Sequence, residues 1–94
     1  LSIDPFEKLR LVLYMLLEKE ILFNIIRLND NRAIIHIYGE LCPIEVTKTL
    51  QHFVMGAIKK FLEIETNKKI TFGSTVTRGN SEGQEITLEI ILTT

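Results

Sequence analysis

Residues 50–62, LQHFVMGAIKKFL, have the clearest amphipathic pattern in the chain. Pro43 suits the first turn of a helix, so we predict a helix over about residues 43–63. We expect its apolar face to pack against a sheet, and Gly56 to allow the close approach of another backbone. Apolar residues recur at steps of three and four, which is the spacing of one helix face: Leu50, Phe53, Val54, Ala57, Ile58, Phe61 and Leu62.

The apolar period changes to two beyond residue 66, as in a strand with one buried face. Ile70, Phe72, Ser74 and Val76 alternate with small or polar residues, so we predict a strand over about 68–77 with these four on one face. The last strand is predicted over about 84–93, after a polar loop at 78–83. Its buried face is expected to carry Ile86, Leu88, Ile90 and Leu92.

Two shorter segments nearer the N-terminus also have the composition of strands. Residues 21–28 and 33–38 are rich in β-branched and aromatic side chains, which favour a pleated, half-buried surface. The sequence Asn-Asp-Asn-Arg at 29–32 lies between them, and such side chains stabilise turns. These segments therefore predict an antiparallel hairpin.

A first helix is predicted over about residues 5–20. Asp4 is a suitable N-cap and Pro5 fits the first helical position. The helix is apolar over more of its surface than one sheet face can cover, so we expect a homodimer with this helix at or near the interface. The extra apolar residues, which we assign to that interface, are Leu11, Val12 and Met15.

These elements give the order α-β-β-α-β-β over residues 1–94, which we treat as one domain. The order predicts an α+β fold with a four-stranded, mainly antiparallel sheet. Both helices are expected to pack on one face of that sheet.

Composition and charge argue against several classes of protein. A formal net charge of −1 is not that of a generally basic nucleic-acid binder. The longest apolar run, residues 11–17, is shorter than the roughly 20 residues that cross a membrane. One cysteine and two histidines leave few metal ligands, so we expect no metal and no cofactor. Acidic residues precede the apolar run, unlike a secretory signal, and we expect a cytoplasmic protein.

Residues that could carry chemistry are sparse. No Gly-x-Ser-x-Gly or phosphate-loop pattern occurs, and no nucleophile, base and orienting group can be assembled, which argues against an enzyme. His36 and Tyr38 share a strand face with Ile34 and are our candidate ligand-binding residues if that face turns inward. The alternative for His36 is a partly exposed histidine bonded to a neighbouring side chain. Cys42 is interpreted as structural or merely tolerated.

From residue 21 to residue 92, the order of elements resembles a known family. The hairpin at 21–38 is followed by the glycine-bearing helix segment at 53–62, the strand at 69–72, the turn glycine Gly79 and a strand of alternating Ile and Leu. This pattern is similar to the 4-vinyl-reductase domain, also called the hydrocarbon-binding domain, a distant relative of small subunits of the TRAPP tethering complex. The resemblance implies a module that binds a small apolar molecule.

The sequence departs from that family in its cysteines. Cys42 lies near the start of the glycine-bearing helix, where the family often has a cysteine, but residues 78–85 have none of the family's later ones. A metal role for cysteines therefore does not transfer. The osmotically inducible family also has a long helix after strands, but its peroxidase chemistry needs a helical cysteine that this chain lacks beyond Cys42.

The sequence thus supports two hypotheses of function. The first is a non-catalytic ligand-binding or sensory domain for a small apolar molecule, held between a helix and the sheet. The alternative is a homo-oligomeric scaffold or a protein-interaction module that binds through the first helix or an edge strand.

Overall fold

The computed structural model describes residues 3–17, 21–39, 44–80 and 83–94. The fold is α+β, as predicted, with two helices and a four-stranded antiparallel sheet. Cys42 and Pro43 lie outside the described residues. The elements in chain order are α1 (Pro5–Leu16), β1 (Leu22–Asn29), β2 (Arg32–Gly39), α2 (Ile44–Thr66), β3 (Lys69–Asn80) and β4 (Gly83–Thr93).

The sheet has the strand order β1-β2-β4-β3, so β2 and β4 lie at its centre and β1 and β3 at its edges. All three pairings are antiparallel. The β1-β2 hairpin turns at Asp30 and Asn31, where the Asn31 amide donates to the Asn29 side-chain oxygen at 2.8 Å. The asparagine-rich turn predicted from the sequence is therefore confirmed.

Both helices pack against the same face of the sheet. The buried residues of α1 and α2 belong to one core cluster with alternate residues of the strands. Ile86, Leu88, Ile90 and Leu92 of β4 are buried, as their alternation predicted. The remaining buried apolar residues are Phe6, Leu9, Leu13, Phe23, Ala33, Ile35, Ile37, Val54, Ile58, Leu62 and Ile70.

Asp4 fixes the start of α1. Its side chain accepts a hydrogen bond from the Phe6 amide at 3.0 Å, which confirms the predicted N-cap. The same carboxylate accepts two hydrogen bonds from Arg27 of β1, at 2.7 and 2.8 Å, and the Arg27 guanidinium lies 4.5 Å from the centre of the Phe6 ring. Asp4 therefore joins the start of α1 to the far end of β1.

Helix α1 is shorter than predicted: it ends at Leu16, and the backbone of Leu17 is already extended. The sequence that follows, Glu18-Lys19-Glu20, carries two acidic residues. Negative charge is unfavourable at a helix C-terminus, which the apolar pattern used for the prediction does not register.

Helix α2 presents a narrower buried face than we predicted. Val54, Ile58 and Leu62 are buried, but Phe53 is 54% exposed, so its assignment to the core was wrong. The expected close approach at Gly56 was also wrong, since a Cβ placed there would meet no atom within 4 Å. The helix ends where Asn67 adopts a left-handed φ of 55° and its amide bonds to the Glu63 carbonyl at 3.0 Å.

Strand β3 contains a β-bulge that changes which of its residues face the core. Phe72 pairs with Ile90 but Thr75 pairs with Leu88, so two residues of β3 lie opposite Glu89. Beyond the bulge, Thr75 and Thr77 therefore take the side of the core, and Val76 is 44% exposed on the opposite face. The prediction that Ser74 and Val76 share a face with Ile70 was wrong for this reason.

Candidate functional site

An apolar pocket of about 320 Å³ lies where α1 ends and β1 begins. This volume is at the small end of the range of ligand sites in proteins, about 300–1,000 Å³. The pocket is bounded by the end of α1, the start of β1 and the end of β2. Its lining residues are Leu13, Tyr14, Leu17, Ile21, Leu22, Phe23 and Tyr38.

The pocket has a buried floor and an exposed rim. Leu13 is fully buried and Phe23 is 8% exposed, whereas Tyr14 is 65% and Leu22 53% exposed. The Tyr14 and Phe23 rings are 4.8 Å apart at 57°, an edge-tilted aromatic contact between helix and strand. Aromatic contacts of this kind hold the wall that α1 contributes.

Tyrosine hydroxyls are the polar side-chain groups of the pocket. Among the described residues, neither the Tyr14 nor the Tyr38 hydroxyl makes a hydrogen bond. A phenol hydroxyl can both donate and accept. The lining therefore combines an apolar body with two hydroxyls available to a polar group on a ligand.

The structure separates the two residues that we had assigned to ligand binding. Both lie on the sheet face turned away from the helices, since Ile35 and Ile37 beside them are buried in the core. Tyr38, at the end of β2, nevertheless reaches the pocket. His36 does not line it; its Nε2 lies 2.9 Å from Glu85 Oε1, and its ring is 5.0 Å from that of Tyr38.

A second pocket of about 350 Å³ lies at the other end of α1. Three of its charged side chains already have partners, since Asp4 pairs with Arg27 and Lys68 donates to the Asn31 side chain at 3.2 Å. An apolar molecule would be poorly matched to such walls. Its lining residues are Asp4, Pro5, Phe6, Arg27, Asp30, Thr66, Lys68 and Leu92.

The apolar residues assigned to an interface lie on the outer side of α1. Leu11 is 64% and Met15 85% exposed, whereas Val12 is half-buried. Lys8 pairs with Glu65 of α2 at 2.9 Å, which identifies the flank of α1 that faces α2. The structure thus shows exposed apolar side chains at two of these three positions.

Within residues 3–17, 21–39, 44–80 and 83–94, no group of three or more His, Cys, Asp or Glu side chains could hold a metal ion. Over the same ranges, no helix combines the length and apolar character needed to cross a membrane.

Comparison with known proteins found no match to this chain among protein-family models, curated proteins or solved structures.

Sequence reasoning missed most of the pocket. Tyr14, Leu17 and Ile21 carry no local pattern that marks a binding site. They meet Phe23 and Tyr38 only because α1 packs over the β1-β2 hairpin. The usable signal was the broad apolar surface of α1, which exceeded what the sheet alone could cover.

Proposed function

We propose that this chain is a non-catalytic binding domain for a small apolar molecule. The observation that carries the proposal is the pocket of about 320 Å³, which has apolar walls and a buried floor. Pockets that bind small molecules are mostly apolar with a few placed polar groups, and Tyr14 and Tyr38 supply such groups. The resemblance to the hydrocarbon-binding domain points in the same direction.

The size and lining define the class of ligand. A molecule of one or two aromatic rings, or a short branched hydrocarbon, suits a pocket at the lower end of the usual range. One hydroxyl or carbonyl on the ligand would bond to the Tyr38 hydroxyl at the rim. In this proposal His36 only positions Tyr38 through their ring contact.

The test is a thermal-shift measurement with toluene and 1-naphthol as probes. At ten times its Kd, a probe adds about 1.4 kcal/mol to the stability of the native state, which raises the Tm of a domain of this size by roughly 6–11 °C. We expect both probes to raise the Tm of the wild type. Tyr38→Phe should reduce the shift with 1-naphthol more than the shift with toluene, and His36→Ala should change neither by much.

A matched pair of variants locates the binding. Leu17 lines the pocket and Leu16, its neighbour, does not. Leu17→Trp should fill the pocket and abolish both shifts, whereas Leu16→Trp should respond like the wild type. Absence of a shift in the wild type, or an unchanged response of a folded Leu17→Trp, would show that the pocket is not the site.

Self-association through α1 is a second candidate function. It is favoured by the exposure of Leu11 and Met15 on one helix, since isolated apolar residues are common on surfaces but rows of them mark interfaces. Val12 would be covered in the same contact. In the other form of this hypothesis, a protein partner docks a helix against Leu11 and Met15. We also propose a cytoplasmic location, for which the support is the sequence argument alone.

A further inference from the structure

We propose that β1 pairs with β1 of a second copy of this chain, antiparallel, with Asn24 of each copy facing the other across a two-fold axis. β1 is an edge strand, and its outer side has no strand partner in the described residues. The pairing would join two four-stranded sheets into one of eight strands. It depends neither on a ligand nor on contacts through Leu11 and Met15.

The two edges of the sheet differ in how well they are protected. β3 carries the bulge at Gly73 and Ser74, with Lys69 and Arg78 towards its ends, and bulges and charges are features that prevent edge pairing. β1 pairs regularly with β2 from Leu22 to Arg27, and its register shift comes only at its end, between Arg27 and Asn29. Its one charged residue, Arg27, is engaged with Asp4. β1 is therefore the edge open to another strand.

Side-chain alternation selects the register. If the two-fold axis passes through a residue, that residue lies opposite its own copy, and core-facing residues lie opposite core-facing residues. All four helices then lie on one face of the joined sheet. With Asn24 on the axis, Leu22 faces Ile26 on the outer face and Phe23 faces Ile25 on the core face. Moving the axis to residue 25 would place Asn24 opposite Ile26 and Phe23 opposite Arg27, which mixes polar and apolar side chains.

Helix α1 supplies the rest of the contact. A stable interface buries about 1,200–2,000 Å², more than five strand pairs provide. Each α1 packs over the β1-β2 hairpin, and two strands together are about 10 Å wide. The two copies of α1 would therefore lie close to the 8–10 Å that separates packed helices. They would meet along the flank that carries Arg10 and Tyr14. Tyr14 is 65% exposed, and its ring makes the tilted contact with Phe23 described above.

The pairing has a consequence for the pocket. Its exposed rim, formed by Tyr14 and Leu22, lies at the β1 edge. A second copy would cover that rim and enclose the pocket. This consequence, unlike the pairing itself, rests on the proposed function.

Disulfide trapping tests the register in a Cys42→Ser background. Directly opposed residues of antiparallel strands have Cα atoms about 4.5–5.5 Å apart, within the range that a disulfide spans. Asn24→Cys should therefore give a covalent dimer under mild oxidation. Ile26→Cys should not, because the two copies of residue 26 lie about 13 Å apart in this register, whereas the double variant Leu22→Cys, Ile26→Cys should cross-link again. Equal cross-linking of Asn24→Cys and Ile26→Cys, or none of Asn24→Cys, would overturn the register.

Light scattering tests the interface itself. The wild type should have twice the chain mass of 10.8 kDa. Ile26→Lys, at a residue 52% exposed, should give a folded monomer, whereas Met15→Lys, at a residue 85% exposed, should remain a dimer. A monomeric wild type at 100 µM, or dissociation by Met15→Lys and not by Ile26→Lys, would overturn the β1 interface. Ligand binding is measured separately by the probe-induced shift in Tm, so either proposal can fail alone.

Discussion

Adjacent residues of α2 have very different environments. Phe53 is 54% exposed, whereas Val54 beside it and Ile58 one turn later are buried. Successive residues of a helix point about 100° apart, so a single step moves a side chain from the core to the surface. Val54, Ile58 and Leu62 lie at steps of four and form the line that faces the sheet. Hydrophobicity alone does not show which residues of a wide apolar face lie on that line.

We therefore expect Phe53→Asp and Ile58→Asp to behave oppositely. Phe53→Asp places a charge at the surface and should change the free energy of unfolding by about 1 kcal/mol or less. Ile58→Asp places an unpaired charge in the core and should cost about 4 kcal/mol or more. Urea denaturation followed by circular dichroism measures both. Unfolding of Phe53→Asp under native conditions would contradict the placement of this face.

At the scale of an element, the bulge in β3 depends on a side chain of β4. Glu89 Oε1 accepts a hydrogen bond from the Ser74 amide at 3.1 Å, and its other carboxylate oxygen pairs with Arg32. A Cβ at Gly73 would collide with this carboxylate. Glycine thus makes room for the acid that satisfies the bulge, and the bulge turns Val76 away from the core.

Gly73→Ala should destabilise the fold because the methyl group displaces the Glu89 carboxylate from Ser74. We expect a loss of about 0.5–1.5 kcal/mol, the net contribution of one hydrogen bond, measured by urea denaturation. Ser74→Ala is the matched control, since Ser74 contributes its backbone amide and should lose little. An equal loss in both variants would mean that the Glu89 contact does not maintain the bulge.

At the scale of the whole molecule, the two helices are attached unequally. α2 has 23 residues and α1 has 12. Besides its three buried residues, Phe6, Leu9 and Leu13, α1 is held by two partly exposed ion pairs, Lys8 to Glu65 and Arg27 to Asp4. Such pairs contribute little, about 0–1 kcal/mol each. β2 and β4, in contrast, are paired on both sides.

Native-state hydrogen exchange should therefore show at least two levels of protection. We expect the amides of β2 and β4 to exchange only through global unfolding, and those of α1 through a smaller opening in which the helix leaves the sheet. The free energy of opening for α1 should be lower than that for β4 by about 1.4 kcal/mol or more, which makes exchange at least about tenfold faster. Equal protection of α1 and β4 would show that α1 leaves the sheet only when the whole domain unfolds.

The amino-acid sequence by itself determined the order of elements, the hairpin turn at Asp30 and Asn31, the cap at Asp4 and the buried face of β4. These features depend on residues close together in the chain: a side chain that bonds to a nearby amide, or an apolar period that matches one kind of backbone. The α+β class followed from the same local signals.

The tertiary structure alone decided which residues of α2 and β3 face the core, and where the pocket lies. Phe53 became exposed because the rotation of α2 follows its contacts with the sheet, and Val76 because Glu89 stabilises a bulge from another strand. The pocket needs Tyr14, Phe23 and Tyr38 in one place, and His36 lies outside it although it is two residues from Tyr38. Such placements depend on contacts between distant segments, which packing selects and no local pattern encodes.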